Sequence, residues 1–357
     1  MPKIERLLVA NRGEIAIRLL RAAAELGIES IAVHTSDDAT SLHVARADTT
    51  RLLPGLGVAG YLDIEAVVAA AVSAGADAIH PGYGFLAENP DLAIACAQAG
   101  LTFVGPTPET LRTFGDKLAG RNAARAAGLP VLAGSSGPAS LAEANALLEQ
   151  HGAIMLKAVA GGGGRGMRAV HSTDELEPAW NRCASEARKS FGRDDVYVEQ
   201  LVTRARHIEV QIIGDGTGAV AHLGERDCSI QRRNQKVIEI APAPHLSPDT
   251  RDAICHAATE LGRSVDYSSV GTVEFLVAAD DTEQFWFIET NARIQVEHTV
   301  TEEVTGIDLV QCQLAIAAGA TLNELRLDGP PTIDGWAIQA RINTETVGHD
   351  GTTHPET

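Results

Sequence analysis

Paired cysteine is the first thing this chain lacks. Its five cysteines (Cys96, Cys183, Cys228, Cys255 and Cys312) are odd in number and contain no CxxC pair, which excludes a zinc-ribbon site and a disulfide framework. Aromatic residues are scarce at 4%, so the core must rest on aliphatic packing. No apolar run approaches the ~18–20 residues of a membrane-spanning helix, and charges at Lys3, Glu5 and Arg6 interrupt any signal-peptide core. Basic excess is missing too. A formal charge of −18 argues against a broad nucleic-acid face, which needs cations to neutralise phosphates, yet leaves room for a small phosphate site in a cleft. A cytoplasmic protein without nucleic-acid or membrane partners is expected.

What is present is 357 residues, enough for two or three domains. The first ~110 residues alternate apolar runs with helical periodicity. Strands are expected at Arg6–Ala10, Ile28–His34, Ala76–His80 and Leu101–Val104, and helices at Ile15–Leu26, Leu62–Ala74 and Asp91–Ala99. This βαβ rhythm predicts a parallel, helix-covered sheet. A Gly/Pro cluster at Gly128–Gly137 opens a smaller unit with a helix over Leu141–Gln150 and a strand over Ala153–Val159. From His207 the pattern turns antiparallel, with hairpins His207–Ile213/Ala219–Leu223 and Val270–Ala278/Glu283–Thr290.

Three features carry chemistry. The loop Gly161–Gly166, flanked by Lys157 and Arg165, lets backbone N–H groups approach phosphate oxygens, although a plain surface loop has the same composition. It is neither a Walker A loop nor a dinucleotide fingerprint. In the second hairpin the midpoint of Glu274 and Glu289 falls at the polar tip Asp281-Thr282, so the two carboxylates are expected opposite each other, ~4.5–5.5 Å apart at Cβ. Apolar neighbours worsen their repulsion, and a hard divalent cation held by Glu274, Glu289 and Asn291 relieves it; a solvated hairpin face is the plainer alternative. Third, Glu289, Asn291, Arg293, Gln295 and Glu297 alternate with apolar or small residues. A straight strand spreads them over ~26 Å, so a bend after Asn291 is expected. Arg293 then suits a carboxylate-like anion and Glu297 a general base, unless the run is the wet face of an edge strand.

These segments, with ANRGEIAIR (Ala10–Arg18), HPGYGFLAEN (His80–Asn89), GDK (Gly115–Lys117), RHIEVQ (Arg206–Gln211), ERDCSIQRRNQK (Glu225–Lys236), APAP (Ala241–Pro244) and QARIN (Gln339–Asn343), resemble the biotin carboxylase component of acyl-CoA and pyruvate carboxylases, a branch of the ATP-grasp ligases. The resemblance implies a mixed α/β and α+β fold. Residues 1–112 would form a Rossmann-like N-terminal domain and 113–325 an ATP-grasp domain with its lid at about 131–203. Residues 326–357 would begin a truncated antiparallel C-terminal domain, with Val347–Thr357 frayed.

For the site, the resemblance implies ATP contacts at Lys117, Lys157, Gly163, Gly164, Glu199, Gln200, Leu201, Val202, His207, Gln231 and Asn234. It implies magnesium or manganese at Glu274, Glu289 and Asn291, and bicarbonate at Lys236, Arg293, Gln295 and Val296. Glu297 matches the base that deprotonates bicarbonate, and Arg341 the arginine that steadies the biotin enolate. Biotin must arrive on a carrier protein or domain, since no Met-Lys acceptor occurs. A carboxyltransferase, a homodimer and a place in fatty acid biosynthesis are further implications. The family usually has His where this chain has Asn234, which bears on nucleotide affinity. Two other readings are another ATP-grasp ligase and a shortened chain that binds nucleotide without turnover.

Overall fold

The computed structural model describes residues 4–159, 166–192, 194–232, 234–281, 283–342, 345–349 and 352–355; Gly163 and Gly164 lie outside them. Strands β1 (Arg6–Val9), β2 (Glu29–His34), β3 (Thr49–Leu52), β4 (Ala78–His80) and β5 (Thr102–Phe103) form a parallel sheet in the order β3-β2-β1-β4-β5. Between them run α1 (Gly13–Glu25), α2 (Leu42–Arg46), α3 (Gly57–Tyr61), α4 (Ile64–Ser73) and α5 (Pro90–Gln98). The middles of β1, β2 and β4 are apolar and buried because helices cover both faces of the sheet. Leu8, Ile31 and Ile79 pack on one side and Leu7, Val9 and Leu19 on the other. The stretch α2-β3-α3 is absent from the sequence reading. It has a physical reason: β3 is a short, polar edge strand (TTRL) that buries little.

Helices α6 (Pro108–Gly115) and α7 (Lys117–Ala126) connect onward. Helix α8 (Leu141–His151), β6 (Ile154–Ala158), β7 (Met167–Val170), α9 (Thr173–Phe191) and β8 (Val196–Gln200) build a three-stranded antiparallel sheet, β7-β6-β8, with two helices against it. Helix starts follow cap chemistry. Thr107 and Pro108 open α6, Asp116 accepts from the Leu118 and Ala119 N–H groups of α7, and Ser140 with Glu143 forms a capping box on α8.

A six-stranded antiparallel sheet carries the site. Its strands are β9 (Ala205–Asp215), β10 (Val220–Arg232), β11 (Gln235–Ala241), β12 (Ser268–Ala278), β13 (Phe285–Asn291) and β14 (Ala337–Ala340), ordered β13-β12-β9-β10-β11-β14. Helix α10 (Pro248–Arg263) covers its apolar face, burying Ile254, Ala258 and Leu261 with Val210 and Val273. Helices α11 (His298–Thr305) and α12 (Leu309–Ala317) follow β13, and Leu314 of α12 shares one core with Val9, Ile213 and Val270, joining the two large sheets. Strands β15 (Glu345–Val347) and β16 (Thr353–Pro355) pair near the end. No helix among the described residues is long and apolar enough to cross a membrane.

Candidate active site

One face of the antiparallel sheet is polar by construction. Along β9, Ile208, Val210 and Ile212 face the core, so period-two alternation sends His207, Glu209 and Gln211 to the other side. Across β9, Glu209 lies opposite Glu274 of β12 and Arg226 of β10. Glu274 in turn lies opposite Glu289, and Thr272 opposite Asn291. The register expected from the hairpin midpoint is the one the chain adopts, with a bulge just beyond Glu274.

The carboxylates are not left to repel one another. Lys236 of β11 sits 2.5 Å from Glu209, 2.8 Å from Glu274 and 2.9 Å from Glu297. His207 Nε2 lies 2.7 Å from Glu274. Lys117, at the first position of α7, reaches Glu289 at 2.8 Å. The Glu274–Glu289 pair therefore does not require a metal for relief, contrary to the expectation from the hairpin: ammonium and imidazole groups already offset this charge. Burial works against ionised Glu274, yet Lys236 and His207 hold its carboxyl well below the usual range. Lys117 is the main cause of a lowered Glu289. Burial opposes the Lys236 ammonium, and the attraction of Glu209, Glu274 and Glu297 outweighs it, keeping Lys236 firmly protonated. Burial likewise disfavours charge on His207, but Glu274 raises its pKa. Gln231 Nε2 lies 2.8 Å from His207 Nδ1 and fixes the ring from behind.

The strand ends at Asn291, and the polar residues beyond it turn inward. Asn291 donates to Glu274 at 2.8 Å. Gln295 donates to Glu274 and accepts from Lys236, both at 3.2 Å. Arg293 donates to Glu88 at 2.8 Å and to Asn291 Oδ1 at 2.9 Å. Val296 is half-buried in the turn, and Glu297 sits at the N-cap of α11, 1% exposed. Arg341, just past β14, bridges Glu297 (2.9 Å) and Glu239 (2.5 Å). A cavity of about 210 Å³ opens between Lys117, Glu289, Asn291, Arg293 and Glu88.

At the other end, Lys157 of β6 pairs with Glu199 of β8. The Gln200 and Leu201 N–H groups donate to Ala133 and Ala153, and Val202 is half-buried. Asn234 stands exposed at the β10–β11 turn with φ of 62°. Asn tolerates this left-handed backbone better than most side chains, which gives the position a conformational reason for its residue. Sequence reasoning assigned no role to Glu88, Arg121, Glu209, Arg226 or Glu239. For Glu209 the signal was available: His-Ile-Glu-Val-Gln alternates, placing a carboxylate on the same face as His207 and Gln211.

Two family models match end to end: the biotin carboxylase N-terminal domain over residues 3–111, and the carbamoyl-phosphate synthase L chain ATP-binding domain over 116–325. Pyruvate carboxylase of Bacillus subtilis is 50% identical over 97% of this chain. The chain spans 31% of that protein's length. The biotin carboxylase domain of Hydrogenobacter thermophilus 2-oxoglutarate carboxylase, solved as a dimer with MgADP, ADP and bicarbonate, superposes with a TM-score of 0.92 at 42% identity, covering 97% of this chain and 76% of that one. The biotin carboxylase–β,γ-ATP complex from Campylobacter jejuni matches with a TM-score of 0.92 at 41% identity, covering 97% of this chain and 77% of that one. A shared backbone, two family models in succession along the chain and 41–42% identity over three quarters of two solved relatives lead to one conclusion: the chain belongs to the biotin carboxylase family.

Proposed function

We propose that this chain uses ATP and bicarbonate to carboxylate biotin presented by a carrier protein or domain. The observation that carries this reading is Glu297, buried between Lys236 and Arg341 on the polar face that holds Glu274 and Glu289. Lys236 and Arg341 both lie within 3 Å of it, so the cations that would hold bicarbonate and face the biotin oxyanion stand on either side of the base.

The donor set fits a hard divalent ion. Glu274 and Glu289 lie directly across one strand pair and Asn291 stands beside them, its amide nitrogen on Glu274 and its Oδ1 on Arg293; a bound ion would take oxygens from all three once that amide turns. Magnesium there would neutralise charge on the phosphoryl oxygens. Lys117 stands at the positive end of α7, where an anion is doubly favoured, and Lys157, paired with Glu199, would with the Glu199–Val202 hinge serve the nucleobase side. Lys236, Arg293, Gln295 and Val296 would hold bicarbonate. Glu297 removes its proton, and the freed oxygen attacks the γ-phosphorus while the bond to the β-phosphate breaks, giving carboxyphosphate and ADP. Carboxyphosphate then splits into CO₂ and phosphate. Phosphate takes the ureido proton of biotin, Arg341 faces the developing oxyanion, and the ureido nitrogen adds to CO₂.

The domain limits 1–112 and 113–325, a homodimer, and a carrier with a carboxyltransferase remain part of this proposal. The Bacillus subtilis relative favours a 2-oxo acid over an acyl-CoA as final acceptor. Five free cysteines suit a reducing cytoplasm.

ATP hydrolysis by the purified chain is expected to require bicarbonate and to rise with free biotin. Glu297→Gln is expected to cut turnover by at least about 10²-fold, the usual size of general-base loss, with ADP binding preserved. Equal inertness of both chains with ADP still bound would favour the binding-only reading. Stimulation by ammonia would favour another ATP-grasp ligase.

A further inference from the structure

On α7, Lys117 and Arg121 are four residues apart and share one helix face. Lys117 serves the carboxylate end of the site at Glu289, and Arg121 points toward the hinge. Arg121 is only 6% exposed. Its Nη2 donates to the Leu132 carbonyl, while Nε and Nη1 are buried without a hydrogen-bond partner. Buried N–H groups are almost always paired, so two idle ones on a single guanidinium call for an explanation.

Glu199 supplies it. One of its oxygens holds Lys157; the other lies 3.7 Å from Arg121 Nη1, just beyond hydrogen-bond reach, and accepts from Tyr197 at 3.5 Å. Backbone closes round this pair. A Cβ at Gly134 would fall 2.8 Å from Arg121 Nη1 and 3.0 Å from Glu199 Cα, and Gly134 pairs with Glu199 through an isolated antiparallel bridge. Glu199 therefore sits between two cations and is in direct contact with one of them.

We propose that Arg121 is a positioning residue for the nucleoside-triphosphate site: when nucleotide draws Lys157 away, Glu199 swings to the idle N–H groups of Arg121. This rests on the nucleotide reading of Lys157 and Glu199. Lys157 has to leave an ion pair before it can serve the nucleotide. Arg121 lowers that cost because the abandoned carboxylate gains a new partner in the same step. Without Arg121, Glu199 would compete with the nucleotide for Lys157.

The purified chain tests this with ADP as probe, by calorimetric titration of wild type, Arg121→Met, Arg121→Lys, Glu199→Gln and the Arg121→Met/Glu199→Gln double variant. Arg121→Met is expected to weaken ADP binding about tenfold, equivalent to ~1.4 kcal/mol, and to raise the ATP KM while kcat holds. Arg121→Lys is expected to fall between it and wild type. The double variant is expected to bind ADP more tightly than Arg121→Met alone, because a neutral amide in place of the Glu199 carboxylate grips Lys157 less; a merely structural role predicts added losses instead. Wild-type affinity in Arg121→Met overturns the exchange, as does a double variant weaker than either single one. Should Arg121→Met fail to fold, Arg121→Lys decides, and undiminished ADP affinity there overturns it. Failure of wild type itself to bind ADP would overturn the nucleotide reading and this inference together.

Discussion

Arg226 has no exposed surface, and every nitrogen of its guanidinium is spoken for. It donates to Glu209 at 2.6 Å, to Gln211 and Thr301 at 2.8 Å, and to Thr272 at 3.2 Å. Those partners lie on β9, β12 and α11, so one side chain ties the floor of the site to the helix that starts at Glu297. Burial opposes its charge, and the attraction of Glu209 outweighs that penalty. Removing one member of a buried ion pair strands the other, at roughly 3–5 kcal/mol. Arg226→Met is therefore expected to lower unfolding stability by about that amount in urea denaturation, and Arg226→Met/Glu209→Gln to recover part of it. A single variant as stable as wild type would contradict the account. Glu209 was legible through its alternation with His207 and Gln211; Arg226 was not, because a sequence pattern shows which face a residue takes but not which side chains from other strands and a helix meet it there. Glu274, Glu289 and Asn291 were legible because they shared a hairpin whose midpoint fixed their register; no such midpoint links Arg226 to Glu209 and Lys236 at once.

At the scale of elements, strands with strong apolar runs were read to within one or two residues, as in Arg6–Val9 and Glu29–His34. β14 was not read as a strand at all. Its four residues are half-buried or exposed, and it is an edge of the sheet, so no core-facing run marks it. Close packing between β9, β12 and the turn before β12 was equally invisible, because it depends on glycine seen only in three dimensions. A Cβ at Gly214 would fall 2.1 Å from the Tyr267 carbonyl oxygen, and one at Gly271 would fall 2.0 Å from the Tyr267 hydroxyl. Tyr267 is fully buried and donates to the Val270 carbonyl, so its ring has nowhere to go. Both Gly214→Ala and Gly271→Ala are expected to destabilise by roughly 1–3 kcal/mol, the usual cost of overpacking. Gly214→Ala should be the worse, since backbone cannot swing aside as a side chain can. Urea midpoints measured side by side check the order; a harmless Gly214→Ala would refute the packing described.

For the whole molecule, the joint between the parallel and antiparallel sheets is built around two buried histidines, and this makes stability depend on pH. His80 of β4 accepts the Gly82 N–H at Nδ1 (3.0 Å), so its Nε2–H faces Gln313 of α12 at 3.2 Å. His298, at the start of α11, uses Nδ1 toward the Gln295 carbonyl at 2.8 Å and leaves Nε2 buried, 3.7 Å from Glu302. Burial pushes His80 down to about 3 and His298 to about 4, and Arg18 beside both disfavours a further positive charge. In the unfolded chain each titrates near 6.5. Below pH 6.5 the unfolded state binds protons that the folded state refuses, so stability falls as pH falls. Each histidine contributes up to about 1.4 kcal/mol per pH unit. The raised His207 acts above 6.5 and the lowered carboxylates act from 4.5 downward; Glu239 and Glu302, raised by burial, act above 4.5 with the opposite sign, and four depressed histidines, His43 and His222 being lowered by burial like the other two, outnumber them. Urea unfolding at pH 7.0, 6.0, 5.5 and 5.0 is expected to show this decline in wild type and a shallower slope in His80→Gln, whatever its stability at pH 7. An unchanged slope would mean that His80 does not stay neutral in the folded joint between the sheets.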